Sequence, residues 1–537
     1  MATKTPQVAW VDPPDPIRGL DHLGVQAPCI ALYGQLLPGI TNVTDRARYF
    51  SFYPWLIRAF ERRSADYSMA AFRSFVRRAE CLFALIAIRH ARQLNEPEDR
   101  HGAGMVGRRS LLQVDEGATA IDLEALAGAY FKNSLGGLGQ YYFGPMRDLR
   151  VLDKSPKGDK YAHCYDRQRG GAIADAFDAG VPAEQFLAAL EVGTVTWAEL
   201  DTLHAFCPCG LHENLAERSA LLDMFFARTD LFRGDGTEVR CASLALMLDL
   251  AGRAPRDVDH SFADNLGAAT YSGALADGAA WIVPAALRRA QRGWGTYQRN
   301  ELLSLATQGL FAAILRGTRR DRQDRLKRTA EAADVSAALL ETSRIDLARP
   351  LADFVSQARA DLPPLAAWSD PAHELQCAWR LLAIADSGVE DCAALSVKLL
   401  GMLLARGLPD APYADFDFAT EYFDPREIHL RSFRDLAHGE WSTLRVGEWV
   451  RWLAVHWGVG RHLQVALRKV RHEGKDTFRI RPLEGELRVV EIPEPVFTVP
   501  RVGRSVQILV DLGLLEASEN GSTLTSEGLA ALEVHCG

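Results

Sequence analysis

Apolar residues recur at spacings of three and four along most of this chain, which is the period of one face of an α-helix. The clearest examples are residues 69–93, 297–317 and 374–385. Such segments follow one another through residues 182–410 without a fixed repeat length. The pattern therefore predicts a mainly α, multi-domain protein and does not support a regular solenoid.

The period changes towards the carboxyl end, where short alternating segments appear between helical ones. In order, the pattern predicts helices at 446–457 and 460–471, strands at 476–482 and 486–492 joined at Leu483–Gly485, a helix at 501–515, a hairpin turning over Glu519, Asn520 and Gly521, and a final helix from Ser526. Two helices followed by a hairpin are the layout of a winged helix-turn-helix module.

The residues around that last hairpin carry a resemblance. ILVDLGLLEAS (508–518) followed by STLTSEGLAAL (522–532) resembles the recognition helix and wing of many winged-helix proteins. In such proteins the helix ends at a glycine, here Gly513, and a second glycine, here Gly528, lets the next helix pack closely. The resemblance implies a winged-helix fold for the C-terminal region.

A weaker copy of the same pattern lies earlier in the chain. MRDLRVLDKS (146–155) matches VDLGLLEAS (510–518) in kind, although Arg150 stands where the later segment has Gly513. We therefore expect a second, less regular winged-helix-like unit. The predicted domains are an N-terminal arm and helical domain (1–119), the winged-helix-like unit (120–181), a helical domain (182–410) and the C-terminal winged-helix region (411–537).

Composition is that of an ordinary globular protein, with 48% hydrophobic and 24% charged residues among 537. The formal net charge of −8 excludes a wholesale nucleic-acid coat, so any contact with nucleic acid must come from a local patch. The N-terminal residues have no apolar signal-peptide region, and no uncharged run of about 18 apolar residues occurs. With nine scattered cysteines, these features predict a cytoplasmic protein without a membrane partner.

One such basic patch lies within the predicted C-terminal region. Its cations, together with one arginine of the following helix, are the predicted nucleic-acid-binding residues: Arg461, Arg468, Lys469, Arg471, Lys475, Arg479, Arg481 and Arg504. Cations at these spacings can meet successive phosphates, so double-stranded DNA is the expected partner. The alternatives are a solvated helix face and a protein interface. A second basic run, 316–328, alternates with aspartates and predicts an exposed, salt-bridged helix or linker.

The most unusual local cluster is LHAFCPCGLH, which contains His204, Cys207, Cys209 and His212. Two thiolates and two imidazoles are the donors of a tetrahedral zinc site. However, Cys-Pro-Cys is tighter than the usual Cys-x2-Cys, and four ligands within nine residues would cross-link only one loop. The favoured interpretation is two buried cysteines in a turn, with no stoichiometric zinc. The alternatives are a site for zinc or another thiolate-bound metal and a redox-active cysteine pair, and no other cofactor is expected.

No common catalytic motif is present in the sequence. We find no P-loop, no G-x-S-x-G nucleophile elbow and no H-E-x-x-H zinc motif. The expected function is therefore a non-catalytic nucleic-acid-binding or adaptor subunit that works with other protein subunits. Its overall look resembles large bacterial proteins of DNA-processing or phage-defence (antiviral) systems. The alternatives are an enzyme with a dispersed, metal-dependent active site and a pure protein–protein scaffold.

Overall fold

The computed structural model describes residues 21–97, 100–115, 117–154, 163–234, 236–253, 256–341, 343–384, 388–407, 423, 426–473, 476–518 and 521–536. Helix accounts for 62% and strand for 6%, which confirms the mainly helical prediction. The chain divides into two compact units. Unit I contains Met1–Leu32, Gly267–Trp281 and Arg292–Thr498, and unit II contains Tyr33–Leu266, Ile282–Gln291 and Val499–Gly537.

The first half of the chain supplies most of unit II. Its helices are α1 (Ala27–Leu36), α2 (Tyr49–Arg63), α3 (Met69–Leu94), α4 (Arg108–Leu111), α5 (Leu123–Ala129), α6 (Phe143–Asp148), α7 (Arg169–Asp178), α8 (Ala183–Val192), α9 (Trp197–Thr202), α10 (Leu215–Phe226) and α11 (Thr237–Ala251). The strands are β1 (Ile121–Asp122), β2 (Leu152–Lys154), β3 (His163–Tyr165) and β4 (Thr194–Val195); β1 pairs with β4 and β2 with β3, both antiparallel.

The middle of the chain supplies most of unit I. The helices of this part of the chain are α12 (Phe262–Ser272), α13 (Arg288–Arg322), α14 (Glu331–Glu341), α15 (Leu351–Asp361), α16 (Glu374–Ile384), α17 (Val389–Arg406), α18 (Leu430–His438), α19 (Val446–Trp452) and α20 (Gly460–Glu473). The first residues of α12 and α13, up to Leu266 and Gln291, belong to unit II, and those of α1, up to Leu32, belong to unit I. Strands β5 (Arg325–Leu326), β6 (Ile480–Leu483) and β7 (Glu486–Val489) form an antiparallel sheet in the order β5-β7-β6.

The C-terminal segment belongs to unit II. It consists of α21 (Val502–Asp511), the hairpin of β8 (Leu515–Ser518) and β9 (Gly521–Leu524), and α22 (Ser526–Cys536). The predicted turn residues Glu519 and Asn520 lie outside the described residues. The predicted element order of helix, hairpin and helix is therefore present, while a complete winged-helix module is not established by it.

The earlier copy of this pattern has the same element order. Helix α6 is followed by strands β2 and β3 and then by α7. Arg150 adopts a left-handed conformation with φ of 58°, and Gly513, its counterpart in the C-terminal segment, has φ of 70°. The arginine therefore accepts the backbone conformation for which the later segment uses a glycine.

The core of unit II is built on the aromatic face of α2. Phe52 stacks on Phe83 of α3 with ring centroids 4.2 Å apart, and Trp55 packs on Phe177 of α7 at 5.2 Å. Helix α3 begins where the Ser68 side chain accepts a hydrogen bond from the backbone N–H of Ala71 at 3.2 Å. The Phe52–Phe83 stack holds α3 against α2, and the Ser68 cap fixes where α3 begins.

The core of unit I includes a tryptophan cluster around Trp441. Its ring lies 5.2 Å from Trp452, 5.3 Å from Trp457 and 5.9 Å from Trp449. The helix predicted at 446–457 is α19 followed by a π-helical stretch, Leu453–Val459, which contains non-helical torsions at Gly458.

No described helix is both long enough and apolar enough to cross a bilayer.

Candidate metal centre

Two segments of unit II, far apart in sequence, meet at the end of α3. His90 lies in the last turns of α3, and the chain reverses at Asn95, whose left-handed conformation (φ 52°) ends the helix. His101 follows in the returning loop. Cys207 and Cys209 flank Pro208, the first residue of a short 3₁₀-helix, Pro208–His212.

The four side chains form one compact cluster. Their ligand atoms all lie within 4.8 Å of one another. His101 Nδ1 is 3.3 Å from Cys207 Sγ, and His90 Nδ1 is 3.4 Å from Cys209 Sγ. Zn–S bonds of about 2.3 Å and Zn–N bonds of about 2.0–2.1 Å give tetrahedral N···S edges of about 3.6 Å, and the two N···S separations given above are close to that value.

Burial and charge favour a bound cation. Cys207 and His101 are buried, and His90 and Cys209 are half-buried. The hydrogen bond from Cys207 lowers the pKa of the Cys209 thiol to about 5. The positive charges of His90 and His101 lower this pKa as well, whereas burial raises it. Burial raises the pKa of the Cys207 thiol. A metal ion would bind both cysteines as thiolates and displace their remaining protons.

The groups around the cluster orient its ligands. Glu96 Oε2 lies 3.0 Å from His101 Nε2, so the carboxylate fixes the ring with Nδ1 turned towards Cys207. On the other side, the Arg48 guanidinium donates to the backbone oxygens of Ala205, at 2.6 Å, and of Cys207. A carboxylate–histidine pair of this kind is the usual outer support of a metal-bound imidazole.

Two of the four predicted metal ligands lie in this cluster and two lie beside it. Cys207 and Cys209 belong to it, whereas His204 is exposed, with Nδ1 3.0 Å from the backbone oxygen of Asp201. His212 is also exposed, and partial burial together with the charge of Arg218 lowers its pKa. Sequence reasoning missed His90 and His101, because nothing local to either histidine indicates a cysteine 106 or more residues away.

Four of the eight predicted nucleic-acid-binding cations are engaged inside unit I. Arg461 donates to the backbone oxygens of Leu23, at 2.9 Å, and Arg426, at 2.8 Å. The Lys469 ammonium donates to the backbone oxygen of Asp21. These side chains support the backbone of neighbouring segments instead of extending into solvent.

Two further arginines of the patch form ion pairs on the β6–β7 hairpin. Arg479 is 3% exposed and its Nη1 lies 2.5 Å from Glu491 Oε2. Arg481 pairs with Asp476. Their charges are neutralised within unit I, so phosphate contact by either would require breaking an ion pair.

The remaining members of the predicted patch differ from one another. Arg468 and Arg471 are exposed on α20 and have no hydrogen-bond or ion-pair partner within the described residues. Arg504, in unit II, is 46% exposed and lies 2.6 Å from Asp45. Lys475 lies outside the described residues.

The second basic run is the end of α13 and the start of β5. Arg319 pairs with Asp324 at 2.8 Å and Arg322 with Glu331 at 3.2 Å, and both arginines are partly exposed. These ion pairs agree with the predicted salt-bridged surface segment.

Comparison of the chain with family models, with curated proteins and with solved structures gives no match.

Proposed function

We propose that this protein binds one zinc ion through His90, His101, Cys207 and Cys209, and that the ion has a structural role in a non-catalytic helical protein. The observation that carries the proposal is the convergence of two thiols and two imidazoles within 4.8 Å. Thiolate and imidazole donors in equal number are typical ligands of structural zinc.

The non-catalytic part of the proposal follows from the number of ligands. Catalytic zinc keeps one coordination position for water or substrate, whereas four protein ligands complete the tetrahedron. The separation of the ligand atoms also fits one ion and not a pair of ions, since two-metal sites hold their ions about 3.5–4 Å apart and need ligands spread around both. The alternative of a metal-dependent enzyme loses its support at this site.

The test is metal content, measured by mass spectrometry on protein purified without chelator. We expect about one zinc per chain, lost in His90→Ala and in Cys209→Ser. His204→Ala and His212→Ala are matched controls from the same region and should keep the ion. Protein without zinc after supplementation would overturn the proposal, and so would loss of zinc from either control with retention in His90→Ala.

A second candidate function is contact with a polyanion, in line with the predicted DNA-binding role. The observation that favours it is the pair Arg468 and Arg471, exposed at a spacing of three residues and therefore on one side of α20. Two arginines give a weak patch, so we propose DNA binding that depends strongly on salt and supplements contacts made by partner subunits.

This second proposal is tested by fluorescence anisotropy with labelled duplex DNA, single-stranded DNA and RNA. Arg468→Glu with Arg471→Glu should weaken duplex binding at least tenfold and reduce the salt slope by about two. The control Arg344→Glu with Lys398→Glu makes the same charge change at exposed positions of unit I. Equal binding by wild type and the α20 variant would refute the assignment.

We propose that α21, the β8–β9 hairpin and α22 are the wing-bearing part of a winged-helix module that serves as an adaptor. Support comes from the element order and from the left-handed Gly513 between helix and hairpin. Asp511 of α21 pairs with Arg46 at 3.0 Å, and both are buried, so this helix uses its polar groups within unit II. That arrangement suits contact with a protein better than recognition of DNA bases by this helix. The expected role in a phage-defence system stays a prediction.

A further inference from the structure

A groove of about 650 Å³ lies in unit II between α10 and the C-terminal helix α22. Each helix lines it with residues spaced three and four apart, so one whole face of each helix is turned to the groove. The lining residues on the two faces are Leu215, Arg218, Ser219 and Leu222 on α10, and Glu527, Ala530, Ala531 and Val534 on α22. Pockets of about 300–1,000 Å³ are the usual size of ligand sites.

The floor of the groove is apolar and continues into a second cavity. Phe226 and Ala227 line both, and the second cavity adds about 380 Å³ beside Cys241 and Ala242 of α11. At the open edge of the main groove, Leu215 is 69% and Val534 74% exposed. The space therefore suits a long apolar body better than a compact polar molecule.

The cations of the groove outnumber the carboxylates that line it: Arg218, Arg228 and Arg233 line it together with Glu527. Arg218 pairs with Glu527, and Arg233 lies 2.8 Å from Asp230. Arg228 is exposed and makes no ion pair or hydrogen bond within the described residues, although the charge of Asp223 acts on it. Burial lowers the pKa of Arg228 and of Arg218, and the charge of Arg228 lowers the pKa of Arg218 further.

We propose that this groove binds a single-chain amphiphile with an anionic head, of the class of long-chain carboxylates. The apolar tail lies between the facing sides of α10 and α22 and extends towards Cys241, and the carboxylate pairs with Arg228. An anionic head complements the excess of arginine over glutamate in the lining, and the tail covers the exposed side chains of Leu215 and Val534. A cationic head would be repelled by the same arginines. The proposal is independent of the zinc site.

The test is titration of the full chain with a fluorescent carboxylate, dansylaminoundecanoic acid, followed by displacement with palmitate below its micellar concentration. Arg228→Glu reverses the charge at the expected head position, and Ala530→Trp fills the groove from an exposed position of α22. Arg73→Glu, at an exposed position of α3, is the matched control for charge. Circular dichroism verifies that each variant is folded, and Arg228→Gln is the milder replacement if Arg228→Glu does not fold.

We expect one saturable site, from which palmitate displaces the probe and hexadecyltrimethylammonium does not. The affinity for the probe should be at least tenfold weaker in Arg228→Glu and in Ala530→Trp, and at least threefold weaker in Arg228→Gln. The affinity of Arg73→Glu should equal that of the wild type. The proposal is overturned by absence of saturable binding, or by equal affinity in wild type and both groove variants. Equal displacement by the cationic amphiphile also overturns it, as does binding that occurs only to phosphatidylserine vesicles and not to the monomeric probe.

Discussion

Replacing Arg48 is the sharpest perturbation of the region that carries the cysteines. Arg48 is 1% exposed and its partner Glu217 is fully buried, with the guanidinium Nη2 2.9 Å and Nε 3.2 Å from the two carboxylate oxygens. The remaining nitrogen, Nη1, donates to the backbone oxygens of Ala205 and Cys207. Arg48→Met keeps most of the volume and removes every one of these interactions.

The expected cost follows from what the substitution leaves behind. Glu217 keeps hydrogen bonds from Ser51 and Asn214 but loses its only ion-pair partner in the described part of the chain. Removing one member of a buried ion pair costs about 3–5 kcal/mol, because the remaining charge stays desolvated. The Cys207 turn also loses its support, so zinc affinity should fall about 10–100-fold, as for other outer-shell groups.

A double-mutant cycle with Glu217→Leu separates the ion pair from general packing loss. Local unfolding free energies are read by hydrogen–deuterium exchange on peptides of α2 and α10, which report on unit II alone. We expect the double variant to be about 2–3 kcal/mol more stable than the sum of the single effects. The surface arginine Arg63, paired with Glu184 and Glu191, is the control, and Arg63→Met should cost less than about 1 kcal/mol. Additivity within about 0.5 kcal/mol would refute the reasoning.

Two further predictions concern a buried histidine and a crowded glycine. Burial lowers the pKa of His462 to about 3, so the folded protein keeps this ring neutral while the unfolded chain protonates it below about pH 6.5; the free energy of unfolding should therefore fall by about 1.4 kcal/mol per pH unit between those values, and equal pH slopes for wild type and His462→Gln in denaturant titrations would contradict this. Gly107 has φ of 74° and a Cβ there would collide with the Tyr130 ring, so Gly107→Ala should cost about 1–3 kcal/mol in denaturant titrations. The control Gly128→Ala, where the space is open within helix α5, should be neutral or stabilising by up to about 1 kcal/mol in the same titrations.

The sequence predicted best the elements whose signal is local. The helix expected at 69–93 is α3, Met69–Leu94, and the hairpin expected around Leu483–Gly485 is β6–β7, with Glu484 and Gly485 in left-handed conformations at its turn. Strand β5 was missed. It pairs with β7 through Arg325 and Arg488, and two residues carry no periodic pattern of their own.

The basic patch shows the same limit for charge. The spacing of the cations along α20 is visible in the sequence, but their partners are not: Arg461 reaches Leu23, and Arg479 reaches Glu491. A run of cations predicts a surface only when the acidic groups and carbonyls that meet it in three dimensions are known. Of the predicted residues on α20, Arg468 and Arg471 are the two whose side chains are exposed to solvent.

The geometry of the metal centre removes the main physical objection to zinc. Four ligands confined to residues 204–212 would restrain one short loop and add little to stability. A zinc ion shared by His101 and Cys207 would instead join positions 106 residues apart. A covalent cross-link closing a loop of about 100 residues stabilises a fold by up to about 4–5 kcal/mol through the unfolded chain, and a metal cross-link acts in the same way while the ion stays bound. The turn before α10 is itself held in the core by Phe206, whose ring lies 4.3 Å from Phe186 and 5.7 Å from Trp55. A cross-link from this turn to His90 and His101 would therefore tie the end of α3 to a segment that is already fixed.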